Sequence, residues 1–194
     1  MRQTKYINKN RKKLKRVLLL IVLVIGSVST NAQEINWLTF EEAIDAQQQN
    51  PKKIIIDTYT AWCGWCKKMD KETFTNKDVV DYINENFYAV KFDAEGNDVV
   101  NFKGNTFTNP GFDPSKVKGR NSSHQLSQYF GINSFPTIVY LDEEANLIGP
   151  IPGYKTPQQI ELFLKLFGND DYKKVTTKEE WENYSANFKY EFAK

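Results

Sequence analysis

The feature that most constrains the fold of this chain is an apolar β-branched run that leads, through a short turn, into two closely spaced cysteines. The run is three isoleucines at 54–56, and Cys63 and Cys66 stand in the motif Trp-Cys-Gly-Trp-Cys-Lys at 62–67. A pattern typical of an amphipathic helix follows directly, as far as Phe74. A strand, a C-x-x-C turn and a helix in this order place Cys63 at a helix N-terminus, where unpaired backbone N–H groups and the macrodipole favour negative charge.

This placement predicts a specific chemistry for the two cysteines. A thiol at a helix N-terminus ionises more easily than a free thiol, and the thiolate is the species that attacks disulfides. Cys66 lies one helical turn behind Cys63, near enough to attack a mixed disulfide formed there. We therefore expect Cys63 to be a surface-accessible, unusually acidic nucleophile and Cys66 to be the resolving thiol.

Other uses of the cysteine pair can be weighed by counting ligands. The chain has two cysteines and one histidine, His124, whereas a structural zinc site needs four ligands, usually Cys and His. Covalent haem attachment requires a histidine directly after the second cysteine, where this chain has Lys67. A structural disulfide remains open, although closing so small a loop contributes little entropic stabilisation. The sequence thus favours a redox-active pair that needs no metal and no organic cofactor. His124 is remote in sequence from the cysteines, and we expect it at the surface.

The charge of the chain is unevenly distributed. Its formal net charge is +2, from 26 basic and 24 acidic residues, but residues 1–32 hold eight of the basic residues and no acidic one. Subtracting these eight leaves 18 basic against 24 acidic residues, a formal charge of −6. The positive charge therefore belongs to the N-terminal segment and does not indicate nucleic-acid binding.

The first 32 residues are organised like a signal peptide. A basic stretch precedes nine apolar residues at 17–25, and small and polar residues then lead to Ala32, with Thr30 at the −3 position of a cleavage site. Nine apolar residues suit the core of a signal peptide and are too few to span a bilayer comfortably. We expect cleavage after Ala32; an uncleaved membrane anchor is the alternative. Either way, residues 33–194 are predicted to be exported, to the periplasm if the source is a Gram-negative bacterium and otherwise into the medium.

Strand and helix patterns alternate along the remainder of the chain, which predicts an α/β fold. A buried strand is indicated at 52–60, further strands are indicated at 88–93, 137–141 and 147–151, and a helix is indicated at 157–167. Near each end of this region, Thr39 before the first helix and Thr177 in the tail are each followed three residues later by a glutamate, which predicts two capping boxes.

An insertion rich in Asn, Gly, Pro and Lys occupies about residues 94–121. Within it, Gly104-Asn105 between two short apolar segments predicts a type II′ hairpin turn. If the first parallel strands end at one edge of the sheet, the insertion emerges near the cysteines and could select substrates. A plain surface loop is the alternative.

The tail at 169–194 is a predicted helical extension. Trp181, Tyr184, Phe188 and Phe192 fall at helical spacing, as expected for a helix that packs on the core of its own domain. A helix that binds a partner is the alternative.

These motifs together resemble those of thioredoxin-fold proteins. Trp62 directly before Cys63 is similar to the thioredoxin signature, and Phe-Pro-Thr at 135–137 resembles its cis-proline loop. The wider motif, with Lys-Lys-Met following Cys66, is closer to that of exported thioredoxin-like proteins, although Trp65 stands where thioredoxin has proline. The resemblance covers about residues 52–168. It implies a three-layer α/β/α sandwich with a central mixed sheet at 33–168, interrupted by the insertion before the cis-proline helix.

The resemblance also implies roles for individual residues. Asp57 matches the buried acid that the family uses as a proton shuttle for the second cysteine, and Lys91 resembles the strand lysine beside that acid. A carboxyl group buried beneath two thiols would have a raised pKa, which suits proton exchange with Cys66. The alternatives are an Asp57 that faces water and a Lys91 that merely extends to solvent.

Substrate contacts are implied around the same turn. Trp62, Gly64 and Trp65 belong to the motif, and Phe135 and Pro136 to the opposing loop. If Pro136 is cis, the Phe135 backbone could pair with an extended substrate segment, although Trp62 could also serve only in packing.

The sequence therefore predicts an exported thiol–disulfide oxidoreductase that acts on cysteine-containing exported proteins as a monomer. The resemblance favours the reducing direction, which requires a membrane electron donor; an oxidase or isomerase would need an acceptor. An alternative of a different class is a non-catalytic binding module, in which the insertion and the tail grip a partner and the disulfide is only structural.

Overall fold

The structure, a computed structural model, describes residues 34–193. The predicted signal peptide and its cleavage site lie outside the described residues. These residues belong to one compact unit. Within the described part of the chain, no helix is long and apolar enough to cross a membrane.

Seven strands and six α-helices make up the described fold. The strands are β1 (Trp37–Leu38), β2 (Lys53–Tyr59), β3 (Phe87–Asp93), β4 (Val100–Phe102), β5 (Asn105–Phe107), β6 (Thr137–Leu141) and β7 (Leu147–Pro152). The helices are α1 (Phe40–Gln49), α2 (Gly64–Glu72), α3 (Lys77–Asn86), α4 (Gln125–Tyr129), α5 (Pro157–Gly168) and α6 (Lys178–Asn187).

Five strands form a mixed sheet in the order β1-β3-β2-β6-β7. Strands β1, β3 and β2 are parallel, whereas β6 runs antiparallel to β2 and β7 antiparallel to β6. The central strand β2 therefore ends where its parallel neighbour β3 also ends, with Tyr59 opposite Asp93. The predicted α/β fold with a central mixed sheet is confirmed, and the active-site turn and the insertion both leave the sheet at this edge.

Apolar side chains of β2 point alternately to the two faces of the sheet and build two cores. Ile55 packs in a cluster with residues of α2, α3 and α5, such as Met69, Ile83 and Leu164. Ile54 and Ile56 lie in the other cluster, which α1 and α4 cover. Helices therefore cover both faces of the sheet, which explains why β2 is apolar at consecutive positions instead of alternating.

Helix ends follow the predicted capping chemistry. The Thr39 hydroxyl accepts from the Glu42 backbone N–H, and the Glu42 carboxylate accepts from the Thr39 N–H. Thr177 and Glu180 make the same reciprocal pair at the start of α6. Both predicted capping boxes are confirmed, and each satisfies two backbone donors that a helix start leaves free.

The insertion folds as a hairpin of β4 and β5 followed by a loop with one turn of 3₁₀ helix at Pro114–Lys116. The hairpin turn is shifted by one residue from the prediction. Its two central residues are Lys103 and Gly104, with φ of 48° and 76°, and Asn105 already pairs with Phe102. Positive φ at both positions matches a type I′ turn, so the predicted type II′ turn at Gly104-Asn105 is wrong.

His124 is fully buried, contrary to the surface position expected from the sequence. It is the N-cap residue of α4, where its Nδ1 accepts from the Leu126 backbone N–H at 3.0 Å. Its Nε2 lies 2.8 Å from the Asp98 carbonyl oxygen. The ring therefore takes the capping role that a serine or threonine commonly has, and it also anchors the start of the insertion.

The C-terminal segment lies against the helical layer made by α3 and α5. Trp181 of α6 stacks on Phe163 of α5 at a ring separation of 5.8 Å. Beyond α6, the backbone N–H groups of Glu191 and Phe192 both donate to the buried carboxylate of Glu161. The tail thus packs on the core of its own domain, as the first of the two interpretations expected.

Candidate active site

The two cysteines form a disulfide at the N-terminus of α2. Cys63 is the N-cap residue, and its Sγ accepts from the Cys66 backbone N–H at 3.0 Å. The sulfur therefore occupies the position at which a helix start stabilises negative charge. Cys66 follows in the first turn and faces the core, as the strand-turn-helix pattern predicted.

Neither cysteine is openly exposed in this disulfide form. Cys63 is 4% exposed and Cys66 is 3% exposed, so the expectation of a surface-accessible Cys63 is wrong for this state. The neighbouring Gly64 is exposed, and apart from its chain neighbours and the backbone of its own helix, no atom of residues 34–193 lies within 4 Å of the position that a Cβ would take there. A partner therefore has open space directly above the turn, from which it could approach Cys63.

Asp57 lies on β2 and is 2% exposed, which excludes the alternative that it faces water. Its Oδ2 is 3.6 Å from Lys91 Nζ on β3, and its Oδ1 accepts no hydrogen bond from the described residues. Burial raises the pKa of Asp57 to about 7, with the Lys91 ammonium opposing this rise and the Asp70 carboxylate adding to it. A carboxyl group of this kind can exchange a proton near neutral pH.

Lys91 does more than extend to solvent. It sits directly beside Asp57 in the register of β2 and β3, and its Nζ makes a hydrogen bond with Asp70 Oδ1 of α2. The rings of Trp37 and Tyr59 flank the ammonium, with centroids at 5.2 and 5.4 Å. Lys91 therefore bridges the central strands to the helix that carries Cys66.

The loop before β6 stands opposite the cysteine turn. The peptide bond between Phe135 and Pro136 is cis, and the Pro136 carbonyl oxygen accepts from the Gly153 backbone N–H at 2.8 Å. The half-buried Phe135 ring meets Trp62 edge-on, with centroids 6.0 Å apart. This contact links the predicted loop residues Phe135 and Pro136 to the cysteine motif.

Trp62 is held from three sides, two of them supplied by residues that sequence reasoning missed. Its Nε1 donates to Glu95 Oε2 at 2.7 Å, and the same oxygen accepts from the Asn121 backbone N–H at 2.8 Å. The Arg120 guanidinium lies 4.4 Å from the Trp62 ring centroid. Both ends of the insertion therefore meet the residue that precedes Cys63.

Trp65 flanks the turn on another side and is 58% exposed. Its ring lies 5.6 Å from that of Tyr154. The Lys68 ammonium is 5.2 Å from both ring centroids. The exposed Trp65 ring, backed by the half-buried Tyr154 ring, provides apolar surface for a polypeptide next to the disulfide.

A cleft of about 260 Å³ opens beside the turn. Tyr59 and Ala61, which precede the turn, line this cleft together with residues of the insertion such as Phe112 and Val117. The insertion is therefore placed next to the cysteine turn, as its position at the strand edge suggested. Within residues 34–193, no three His, Cys, Asp or Glu side chains cluster in a way that could hold a metal ion.

Comparisons with known proteins agree with this geometry. The family model for a thioredoxin-like domain matches residues 40–168. Thiol:disulfide interchange protein DsbD of Actinobacillus pleuropneumoniae is 28% identical over 127 residues, which are 61% of this chain and 18% of that protein. Disulfide bond reductase DsbH of Chlamydia pneumoniae is 22% identical over 114 residues, 58% of this chain and 60% of that protein.

A solved structure shows the same fold. A thioredoxin-fold protein from Helicobacter pylori superposes with a TM-score of 0.56 at 25% identity, covering 71% of this chain and 82% of that one.

The chain spans only 8% to 18% of the length of the first four curated relatives that it matches. The matched family model nevertheless includes β2, the cysteine turn and the cis-proline loop. This chain belongs to the family of thioredoxin-like domains.

Proposed function

We propose that this protein is an exported thiol–disulfide oxidoreductase that exchanges electrons between its Cys63/Cys66 pair and disulfides of partner proteins. The observation that carries the proposal is the disulfide at the N-terminus of α2, where Cys63 Sγ accepts a backbone N–H. The strand β2, which leads into the cysteine turn, carries the buried carboxyl group of Asp57. The electrons reside in the sulfur pair itself, so the reaction needs neither a metal nor an organic cofactor.

In the reducing direction, the reaction has two balanced steps. The Cys63 thiolate attacks one sulfur of a client disulfide, which forms a mixed disulfide and releases the first client thiolate. Cys66 then loses its proton and attacks Cys63 Sγ, so that the second client thiolate leaves and Cys63–Cys66 becomes the disulfide seen here. Two electrons pass to the client, and the released thiolates take up the protons. The reverse sequence of the same steps describes an oxidase.

The names of the relatives favour the reducing or interchange direction. DsbD is named for thiol:disulfide interchange and DsbH for disulfide bond reduction. A reductase outside the cytoplasm needs electrons from a membrane donor. We therefore include such a donor and cysteine-containing exported proteins as the proposed partners. The predicted signal peptide at 1–32 supports export.

The reduction potential of the cysteine pair tests the proposal. Equilibrating the purified protein with a series of glutathione redox buffers should give a reversible transition between dithiol and disulfide, because a pair at a helix N-terminus stabilises its thiolate form. Mass spectrometry after alkylation reports the reduced fraction. The near-complete burial of both cysteines is what a non-catalytic binding module would also show. A bond that glutathione cannot reduce under native conditions would favour that module over the enzyme.

The insertion should affect recognition of protein clients more than the chemistry. Arg120→Gln removes a guanidinium that covers the Trp62 ring, an interaction worth about 0.5–1 kcal/mol at an exposed site. We expect KM for a protein disulfide to rise about threefold, with little change in the rate with the small disulfide DTNB. Steady-state reduction of insulin and of DTNB measures the two effects.

Lys118→Gln is the matched control for this prediction. It removes one positive charge from the same exposed loop but leaves the Arg120–Trp62 contact in place. If both variants change KM for insulin equally, the loop acts through its net charge and not through Trp62. If neither variant changes it, the insertion is a plain surface loop.

A further inference from the structure

We propose that Asp70, a residue that no motif singles out, is a positioning residue of the exchange reaction: it binds the Lys91 ammonium and thereby leaves Asp57 free to accept the Cys66 proton. The inference rests on the proposed function. It concerns the second chemical step, in which Cys66 must be deprotonated to resolve the mixed disulfide.

The Lys91 ammonium lies between the carboxylates of Asp70 and Asp57, and it is closer to Asp70. Lys91 Nζ makes a hydrogen bond with Asp70 Oδ1, whereas it stands 3.6 Å from Asp57 Oδ2, beyond ordinary hydrogen-bond length. The Oδ1 atom of Asp57 also receives no hydrogen bond from residues 34–193. Among the described residues, the buried carboxyl group of Asp57 thus lacks close partners, whereas the more exposed carboxylate of Asp70 binds the Lys91 ammonium.

The position of Asp70 on α2 connects this cluster to the cysteines. Asp70 follows Cys66 by four residues in the same helix, and residues at this spacing are neighbours on one helix face. Lys91 reaches that face from β3, where it sits beside Asp57 in the strand register. The ammonium therefore joins the carboxyl group on the sheet to the helix turn that carries the resolving thiol.

Among the described residues, Lys91 and Asp70 are the charged groups that act on Asp57. Its register neighbour on the antiparallel strand β6 is the apolar Ile138, and Met69 is the buried residue that α2 contributes to the core on this side. The remaining titratable side chain nearby is Tyr59, whose own pKa is raised by burial first and then by surrounding carboxylates, Asp57 among them. Tyr59 is therefore neutral at physiological pH, and Lys91 and Asp70 dominate the field at Asp57.

The direction of each influence on Asp57 agrees with this division. Burial raises the pKa of Asp57 most strongly, the Lys91 ammonium lowers it, and the Asp70 carboxylate raises it. Asp70 therefore adds to the effect of burial on the pKa of Asp57. Its own negative charge raises that pKa, and its hydrogen bond with Lys91 holds the ammonium away from Asp57. Without Asp70, Lys91 would be free to pair with Asp57 and would make Asp57 a weaker base.

The chemical step that depends on this arrangement is a proton transfer coupled to disulfide exchange. In the mixed disulfide between Cys63 and a client, the Cys66 thiol gives its proton to the Asp57 carboxylate. The Cys66 thiolate then forms the bond to Cys63 Sγ while the bond from Cys63 to the client sulfur breaks. The client leaves as a thiolate, and the proton on Asp57 passes to solvent.

Asp70→Asn tests the inference in a reaction that separates the two steps. When the reduced protein is mixed with one equivalent of DTNB, attack by Cys63 releases the first coloured thiolate and resolution by Cys66 releases the second. In the unaltered protein the rate of the second release should rise with pH around 7, as Asp57 ionises. In Asp70→Asn we expect this midpoint to move to lower pH by about 1 pH unit, because an opposite charge at close range lowers a carboxyl pKa. The plateau rate should fall, since the base is weaker.

Two further variants make the result specific. Asp70→Glu keeps a carboxylate on the same helix face and should restore a midpoint near that of the unaltered protein. Asp81→Asn removes a carboxylate that pairs with Lys77 within α3, a helix that carries neither cysteine, and should leave the midpoint unchanged. The titration of the Asp57 carboxyl group in the oxidised protein, followed by infrared difference against Asp57→Asn, should show the same downward movement in Asp70→Asn.

The possible outcomes distinguish this inference from the proposed function. Equal midpoints in Asp70→Asn and the unaltered protein, with a normal second release, would overturn the role of Asp70 and leave the oxidoreductase intact. Absence of a second release in the unaltered protein would overturn the oxidoreductase itself. A loss of activity in Asp70→Asn at every pH, without movement of the midpoint or of the infrared titration, would show that Asp70 is only structural.

Discussion

Cys63→Ser should reduce insulin no faster than buffer containing the same reductant, and this loss is the largest effect that we expect from any single substitution. A serine hydroxyl at the start of α2 stays protonated at neutral pH and cannot attack a client disulfide. The mixed disulfide that Cys66 would resolve therefore never forms. Cys66 is left with its thiol facing the core, at 3% exposure in the present structure, so it cannot replace Cys63 as the attacking group. Insulin precipitation measures the loss directly.

Cys66→Ser should behave differently, because the attacking group remains. Cys63 still forms the mixed disulfide, but no neighbouring thiol resolves it, so covalent adducts with the client accumulate. Non-reducing electrophoresis and intact mass should show one client molecule per protein, and dithiothreitol should release it. The double variant Cys63→Ser/Cys66→Ser is the control for non-specific binding. Equal activity of the unaltered protein and both single variants would refute the dithiol mechanism.

The central strand and two helix starts could be predicted from short sequence patterns, because these patterns depend on the geometry of the local backbone. Consecutive isoleucines at 54–56 predicted a strand buried on both faces, and β2 has this position at the centre of the sheet. Thr39 and Thr177 each precede a glutamate at the spacing that closes a capping box, and both boxes form. Such signals involve residues a few positions apart, so one sequence is enough to identify them.

The predictions for the hairpin turn and for His124 were wrong because the same residue types are compatible with several local conformations. Gly104 tolerates positive φ at either central position of a two-residue turn, so the residue type did not distinguish a turn at Gly104-Asn105 from the observed turn at Lys103-Gly104. His124 is the N-cap residue of α4, a role for which serine, threonine, aspartate and asparagine are the usual sequence signals. Its burial follows from contacts with Leu126 and Asp98 that only the folded chain reveals.

Part of the site followed from a short motif, and its supports did not. Cys63 and Cys66 are three residues apart, so their meeting at a helix start was predictable, whereas the role of Asp57 was indicated only by the family resemblance. Glu95 and Arg120 reach Trp62 from the two ends of an insertion, and no spacing rule relates them to the motif. Asp70 was missed as well, although its i,i+4 relation to Cys66 could have indicated a charged group beside the resolving thiol.

Glu161→Ala should cost about 3 kcal/mol of unfolding free energy, which is the largest stability effect that we expect outside the two apolar cores. Glu161 is fully buried on α5, where one oxygen lies 2.8 Å from Lys165 Nζ. The carboxylate also accepts from the backbone N–H groups of Glu191 and Phe192, at 2.8 and 3.0 Å. Alanine would leave those N–H groups without their acceptor and would release the end of the tail from α5.

Glu191→Ala separates this buried anchor from ordinary surface charge. Glu191 is exposed and pairs with the same Lys165 from the solvent side, so its removal should change stability by only a small fraction of the Glu161 effect, because solvent screens such pairs. Urea unfolding followed by tryptophan fluorescence measures both variants, and comparable slopes m would show that the unfolded states are alike. In Glu161→Ala, faster proteolysis after Tyr190 should accompany the loss, since the tail beyond α6 is no longer held. If both variants lose equally little stability, the tail is held by its aromatic contacts with α3 and α5, and the buried carboxylate is not its anchor.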